Sequence, residues 1–170
     1  VDAWGFPSSH PLDDQVAWPN ALPWGRTYGI EDRSHPGRLA AFHSSYAFVD
    51  TPVPGGRLPI AGLTWVCVHP QFRRQGLLRA MMTAHLEHCR AQGEPVSMLF
   101  AAEPAIYGRY GYGLAARQVN LTVPRGAALK PVAEDGLSVR IEHFDYEVHG
   151  ALVARLHRAV DRPGWVTRPN

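Results

Sequence analysis

The apolar positions of this chain change period several times, and each change marks a boundary. Residues 1–24 are rich in Pro, Trp and Asp and irregular, apart from a short helical stretch near Asp13–Trp18. Arg26–Glu31 and Leu39–Val49 then alternate, which predicts two half-buried strands joined by the Ser-His-Pro-Gly turn within Asp32–Arg38. Pro54-Gly55-Gly56 reverses the chain, and Leu58–Val68 returns as a long strand that Pro70 stops. From Gly76 to Gln92 the period becomes helical. Leu78, Met82, Leu86 and Cys89, with Ala80 and Met81 beside them, form a stripe at spacings of three and four, and Gly93 supplies the closing C′ glycine. Val96–Ala101 is a continuous apolar run, as expected of a strand covered on both faces. Beyond it the pattern predicts one or two helical turns in Pro104–Tyr110, a strand over Leu114–Val123 and a linker over Pro124–Gly136. A strand at Leu137–Ile141 and a helix over Tyr146–Val160 follow. The alternation of strands and helices makes this an α/β chain. The last stretch reads as the opening of a second domain.

The junction VCVHPQFRRQGLL, residues 66–78, carries the most chemistry. It runs from strand through a basic, glycine-containing turn straight into a helix. The first amides of a helix have no intrahelical partner, and the macrodipole favours an anion beside them. Gly76 lets the main chain approach a phosphate closely, and Arg73 and Arg74 add charged donors. An ordinary strand–turn–helix connection with solvated arginines has the same spacing. The glycine and the paired arginines favour a phosphate receptor.

Composition narrows the choice of ligand. The net charge of +2 and the 45% hydrophobic content describe a chain able to build a core, with no basic surface for nucleic acid and no polybasic membrane anchor. Lys130 is the only lysine, and no Gly-Lys-Ser/Thr tripeptide occurs, so the junction is not a Walker-type loop. No apolar run is long enough to cross a bilayer and no signal peptide is visible. Cys67 and Cys89 lie in apolar surroundings and read as buried free thiols, which fits a cytoplasmic chain. The start at Val1, without methionine, reads as the tail of a helix and thus as a fragment.

Two motifs together make the reading specific. Arg73-Arg74-Gln75-Gly76-Leu77-Leu78 after a V-x-V-x-P strand resembles the acetyl-CoA pyrophosphate loop of the GNAT superfamily of N-acetyltransferases, R-x-x-G-x-[GA], with Leu78 in its last position. Residues 102–114, AEPAIYGRYGYGL, resemble the I-Y-G-R-[FY]-G-Y-G segment of one branch, the enhanced intracellular survival (Eis) family, where a leucine like Leu78 is usual. The likeness continues through LPIAGLTWVCV and, more weakly, SVRIEHF. It implies a GNAT fold, a mixed central sheet with helices on both faces and a splayed acetyl-CoA-binding strand. Residues 1–136 would be the first GNAT domain, lacking its opening strand and most of its first helix, and 137–170 the start of a second. Family members are longer, with two GNAT-like domains and a sterol-carrier-like one, and assemble as hexamers.

The resemblance also distributes roles. Val66, Cys67 and Val68 correspond to the strand that pairs with pantetheine, and an amide there, such as that of Val66, to the oxyanion donor. Arg74, Gln75, Gly76, Leu77, Leu78 and Arg79, flanked by Arg73, correspond to the diphosphate loop, and Ala102 and Glu103 to a further contact. Tyr107 corresponds to the general acid that protonates the departing thiolate, while Tyr110 and Tyr112 read as packing. The implied reaction moves an acetyl group from acetyl-CoA to a small-molecule primary amine, with multi-amine acceptors such as aminoglycosides suggested by the branch. A protein lysine or N-terminal acetyltransferase and a non-catalytic acyl-CoA-binding module remain as alternatives. In the family the general base is the carboxylate at the far C-terminus. Glu103 and His43 are substitutes within this chain, and the base stays unassigned. Trp18 and Trp24 fall where the family's acceptor pocket has aromatic walls. Acidic residues for that pocket are present at Asp2, Asp13, Asp14, Glu31 and Asp32. His85, His88 and Cys89 share a helix face at ligand-like spacing, but without a second ligand cluster a metal is not expected. His69 reads as a solvated strand-end residue.

Overall fold

A computed structural model describes residues 22–117, 119–127, 140–160 and 162. Its sheet is β1 (Thr27–Glu31), β2 (Leu39–Val53), β3 (Gly56–Val68) and β4 (Val96–Met98), hydrogen-bonded in that order. The first three strands form an antiparallel meander, and β4 runs parallel to β3. The parallel return is made by helix α1 (Leu77–Ala91), the crossover that such a pair needs. A second helix, α2, spans Tyr146–Ala159. Among the described residues no helix is long and apolar enough to cross a membrane. The mixed α/β architecture follows the expected fold class. The Asp13–Trp18 helix and most of Leu137–Ile141 lie outside the described residues.

Two bulges shape the β2–β3 ladder, and each has a local cause. Between the pairs Phe48↔Ile60 and Thr51↔Leu58, β2 carries an extra residue opposite Pro59, which has no N–H to give the ladder. Between Phe42↔Cys67 and Ser44↔Thr64 the extra residue is on β3, where Trp65 and Val66 oppose His43. Trp65 takes φ +56°, a left-handed backbone that costs a residue with a Cβ on the order of 1–3 kcal/mol. A bulge of this kind bends its strand and often lies beside a functional cleft.

The parallel ladder between β3 and β4 ends early. It pairs Ile60↔Val96, Ala61↔Ser97 and Gly62↔Met98, and from there to Val68 β3 keeps only β2 as a neighbour, its other edge open among the described residues. Gly62, the last paired residue, lies under the ring of Phe48. A Cβ there would run into Phe48 Cε2, so any larger residue would force that ring to move.

α1 covers one face of the sheet with Met81, Met82, His85 and Cys89. Leu86, expected on this stripe, is 38% exposed, and His85 takes the buried position at 1%. The helix closes as expected: Gly93, at φ +68°, donates to Arg90 O, and Glu94 N donates to Cys89 O at 2.9 Å, a Schellman motif. Glu94 then pairs with Arg26 at 2.7 Å, both side chains largely buried, and Arg26 Nε also donates to Ser45. This ties the start of β1 to the end of α1.

Two sequence expectations are corrected. Val96–Ala101 is a strand only through Met98, because β3 has already diverged, and Phe100 is 97% exposed. The strand expected at Leu114–Val123 does not form among the described residues. Its alternating Leu114, Val119, Leu121 and Val123 are all exposed, since no described sheet edge pairs with them.

Candidate functional site

Where β3 and β4 part, the sheet opens into a cleft of about 3150 Å³. Its walls are the end of β3, the 72–79 junction, the segment 95–116 and one side of α2. Val66, Cys67, Val68, Arg73, Arg74, Gly76, Leu77, Leu78, Arg79, Ala102, Glu103 and Tyr107 all line it. Gln75 does not; its side-chain amide is turned back toward Gln71 O at 3.4 Å.

The junction is shaped by backbone conformation. His69 caps a short 3-10 turn, Pro70–Phe72, by accepting from Gln71 N at 3.3 Å, and its ring meets Phe72. His69 is therefore a cap, a role that the reading of it as a solvated strand end missed. Arg74 then adopts φ +65° and Gly76 φ +81°, with ordinary negative φ at Arg73. Two positive φ angles this close together fold the chain tightly just ahead of the helix, a turn of the kind that can serve as an anion nest. Gly76 is also the N-cap of α1 and supplies no capping side chain, and a Cβ built on it meets nothing within 4 Å. Glycine here thus answers to φ, and open space lies in front of it. Arg73, Arg74 and Arg79 add positive charge along the same wall.

Across the cleft, segment 99–117 carries two 3-10 turns, Pro104–Ile106 and Gly108–Tyr110, with Tyr107 between them. Tyr107 forms a core cluster with Leu63 and Met82, and Val66, Leu78, Leu99, Ile106, Tyr110 and Tyr112 pack around it. Only 9% of Tyr107 is exposed, and burial pushes its phenol pKa up, which keeps the proton on oxygen at neutral pH. Its hydroxyl makes no hydrogen bond among the described residues. Tyr112 differs: its hydroxyl lies 2.6 Å from Ser97 Oγ, which lies 2.8 Å from His85 Nε2.

Of the remaining described candidates, His43, Glu31, Asp32 and Trp24 do not line the cleft. His43 is buried on the α1 side, stacked on Tyr28 and edge-on to His85, and neither ring nitrogen finds a partner among the described residues. It does not line the cleft, so its place as a substitute base is corrected. Burial, with His88 nearby, lowers its pKa. Glu31 and Asp32 serve the β1–β2 turn. Glu31 accepts from Gly37 N, and Asp32 accepts from Ser34 N at 2.9 Å and lies 2.9 Å from His35 Nδ1, which hold its pKa below the usual carboxylate range. Trp24 is 73% exposed, and Trp18, Asp2, Asp13 and Asp14 lie outside the described residues. Glu103 is the one carboxylate among the described residues that line the cleft. His88 Nδ1 is 2.9 Å from Tyr28 Oη, and the thiol of Cys89 is pushed up to about 11 by burial and by Glu94. Trp65, unnoticed in the sequence, lines the cleft at the bulge.

The acetyltransferase (GNAT) domain family matches residues 2–115. An uncharacterized N-acetyltransferase of Streptomyces avermitilis is 39% identical over 162 residues, 90% of this chain and 39% of its own length. N-acetyltransferase Eis of Mycobacterium tuberculosis is 39% identical over 114 residues, 66% of this chain and 28% of its own. The crystal structure of Eis1 from Mycobacterium abscessus superposes with a TM-score of 0.52 at 37% identity, covering 59% of this chain and 26% of that one. This chain therefore spans about two fifths of the length of its Streptomyces relative. GNAT domains take their acetyl group from acetyl-CoA. With the family matching residues 2–115, more than half of the chain, and a relative named as an N-acetyltransferase at 39% identity over 90% of it, the chain belongs to the GNAT acetyltransferases.

Proposed function

We propose that the cleft binds acetyl-CoA and transfers its acetyl group to a primary amine. The observation that carries this reading is the parting of β3 from β4 at Gly62, which places a strand with one open edge between a phosphate-shaped nest and a buried phenol. An extended pantetheine arm fits as a surrogate strand along Val66–Val68. The diphosphate fits the 73–79 nest, held by the amides before and within the first turn of α1 and by Arg74 and Arg79, with Arg73 beside them. Gln75 contributes through its main chain, and Ala102 and Glu103 lie on the opposite wall.

The chemistry follows from that placement. The amine nitrogen attacks the thioester carbonyl, and the oxyanion formed is held by an amide of the bulged strand, that of Val66. As the C–S bond breaks, Tyr107 gives its proton to the departing sulfur, which stops the thiolate from attacking again. The phenol is a weaker acid than a thiol of pKa about 8.5, so the transfer depends on the hydroxyl being held beside the leaving sulfur. The phenolate regains its proton from solvent before the next turnover. The amine's own proton goes to a base that the described residues leave unassigned.

Likeness to the Eis proteins supports acceptors that carry several amines, aminoglycosides among them, and a homo-oligomeric whole protein. Protein lysines or N-termini are the competing acceptors. Thiol release from acetyl-CoA by the full-length protein, measured over aminoglycosides, lysine peptides and simple amines, tests the assignment. Turnover on aminoglycosides supports it. Turnover on peptides alone moves the acceptor, and none on any amine leaves a binding module.

A further inference from the structure

Tyr107 has no polar tether of its own among the described residues, so ring packing alone sets the direction of its hydroxyl. The backbone hydrogen bonds of its segment run from Ile106 to Glu103, Tyr107 to Pro104, Tyr110 to Tyr107 and Gly111 to Gly108, all within the segment. One side-chain link leaves it among the described residues: Tyr112 Oη to Ser97 Oγ on β4, at 2.6 Å, and onward to His85 Nε2 on α1, at 2.8 Å. The ring of Tyr112 meets that of Tyr107 edge-on, centroids 5.8 Å apart.

We infer that Tyr112, Ser97 and His85 are positioning residues, a hydrogen-bonded chain running from the half-buried Tyr112 to the buried His85 that holds the ring of Tyr107 in place for its transfer of a proton to sulfur. The inference rests on reading Tyr107 as the acid. A serine hydroxyl has one proton, so Ser97 accepts from one neighbour and donates to the other. Burial, with His43, Arg26 and His88 nearby, pushes the pKa of His85 down to about 4, so the ring is neutral and its Nε2 accepts when Nδ1 carries the proton. The chain then runs from phenol through alcohol to imidazole. Tyr112 is itself a poor candidate for the acid, because its hydroxyl is already engaged. The far anchor is equally telling: His85 lies on the helix whose first turn closes the phosphate nest. One helix therefore sets both the diphosphate contact and, through two hydroxyls, the acid.

The test uses full-length protein, acetyl-CoA and an amine panel from aminoglycosides to lysine peptides, with CoA affinity measured separately by calorimetry. Tyr112→Phe and Ser97→Ala are expected to lower kcat about tenfold while KM for acetyl-CoA and Kd for CoA stay within about twofold. Ser97→Thr, which keeps a hydroxyl, restores kcat. In a Tyr107→Phe background, Tyr112→Phe adds no further loss, because the anchor acts through the acid. A full additive loss in the double variant overturns the inference. So does unchanged kcat in Tyr112→Phe when Tyr107→Phe is impaired. If Tyr107→Phe itself keeps full kcat, the assignment of the acid has failed instead, and the two failures are told apart. Should Ser97→Ala not fold, Tyr112→Phe, which removes a single oxygen, still decides.

Discussion

The two walls of the cleft are built by different means. Along residues 69–79 the shape resides in the main chain: a capped 3-10 turn, two positive φ angles at Arg74 and Gly76, and the bare first turn of α1. Along residues 99–112 the main chain bonds only to itself, and the wall is held by side chains, through the Tyr107 cluster and the Tyr112–Ser97–His85 chain. A backbone-built wall shares its work among several amides, so loss of any one side chain is partly tolerated. A side-chain-built wall concentrates it in a few atoms. The difference predicts a graded series of effects.

The largest effect is expected on the side-chain wall. Tyr107→Phe should lower kcat by on the order of 10²-fold and leave the affinity for CoA within about twofold, as kinetics and calorimetry would show. Equal loss of both would mean that the ring holds the cofactor and not the proton. Next comes the far end of the anchor. The pKa of His85 lies near 4 in the folded chain against an ordinary 6.5, so the unfolded chain binds the proton first as pH falls. Its contribution is intact above pH 6.5 and is lost as pH falls toward 4, by on the order of 2 kcal/mol, with His43 shifting in the same direction. Urea titrations of wild type and His85→Gln should diverge least in acid; a gap that widens there sinks the argument. Arg74→Ala, on the backbone-built wall, should weaken CoA binding about tenfold, a single charged hydrogen bond's worth, with little change in melting temperature of the free protein. An unaltered thermal shift on adding CoA would remove Arg74 from the site. Smallest is Gln75→Ala, whose side chain points away from the cleft and should change CoA affinity by no more than about twofold.

The same contrast explains what the sequence made legible. Gly76 and Gly93 report backbone angles directly, so the turn into α1 and the end of that helix were readable from the sequence. Helical and alternating periods located β1, β2, β3, α1 and α2, since each buries a face or lies at the expected spacing. The period at Leu114–Val123 failed because alternation records which side of a strand is apolar and says nothing of whether an edge waits to receive it. His85 was weighed only for its chemistry and left off the buried stripe. It sits three and four residues from Met82, Met81 and Cys89, squarely on the buried stripe, and its position outweighed its polarity once Ser97 supplied a partner. The chain through Tyr112 joins residues far apart in sequence, and no local pattern encodes such a pairing. The bulge at Trp65 was equally silent, because tryptophan carries no signature of positive φ.

A strand that has two neighbours for part of its length and one for the rest should also keep two kinds of time. The amides of β3 near Ile60–Gly62 lie inside a sheet, whereas those beyond Gly62 that face the cleft have water for company. In deuterated solvent the first group should exchange slowly whether or not ligand is present, and the second quickly until something lies down along it. The fork in the sheet thus turns one strand into its own internal reference, against which occupancy can be read amide by amide without any enzymatic turnover.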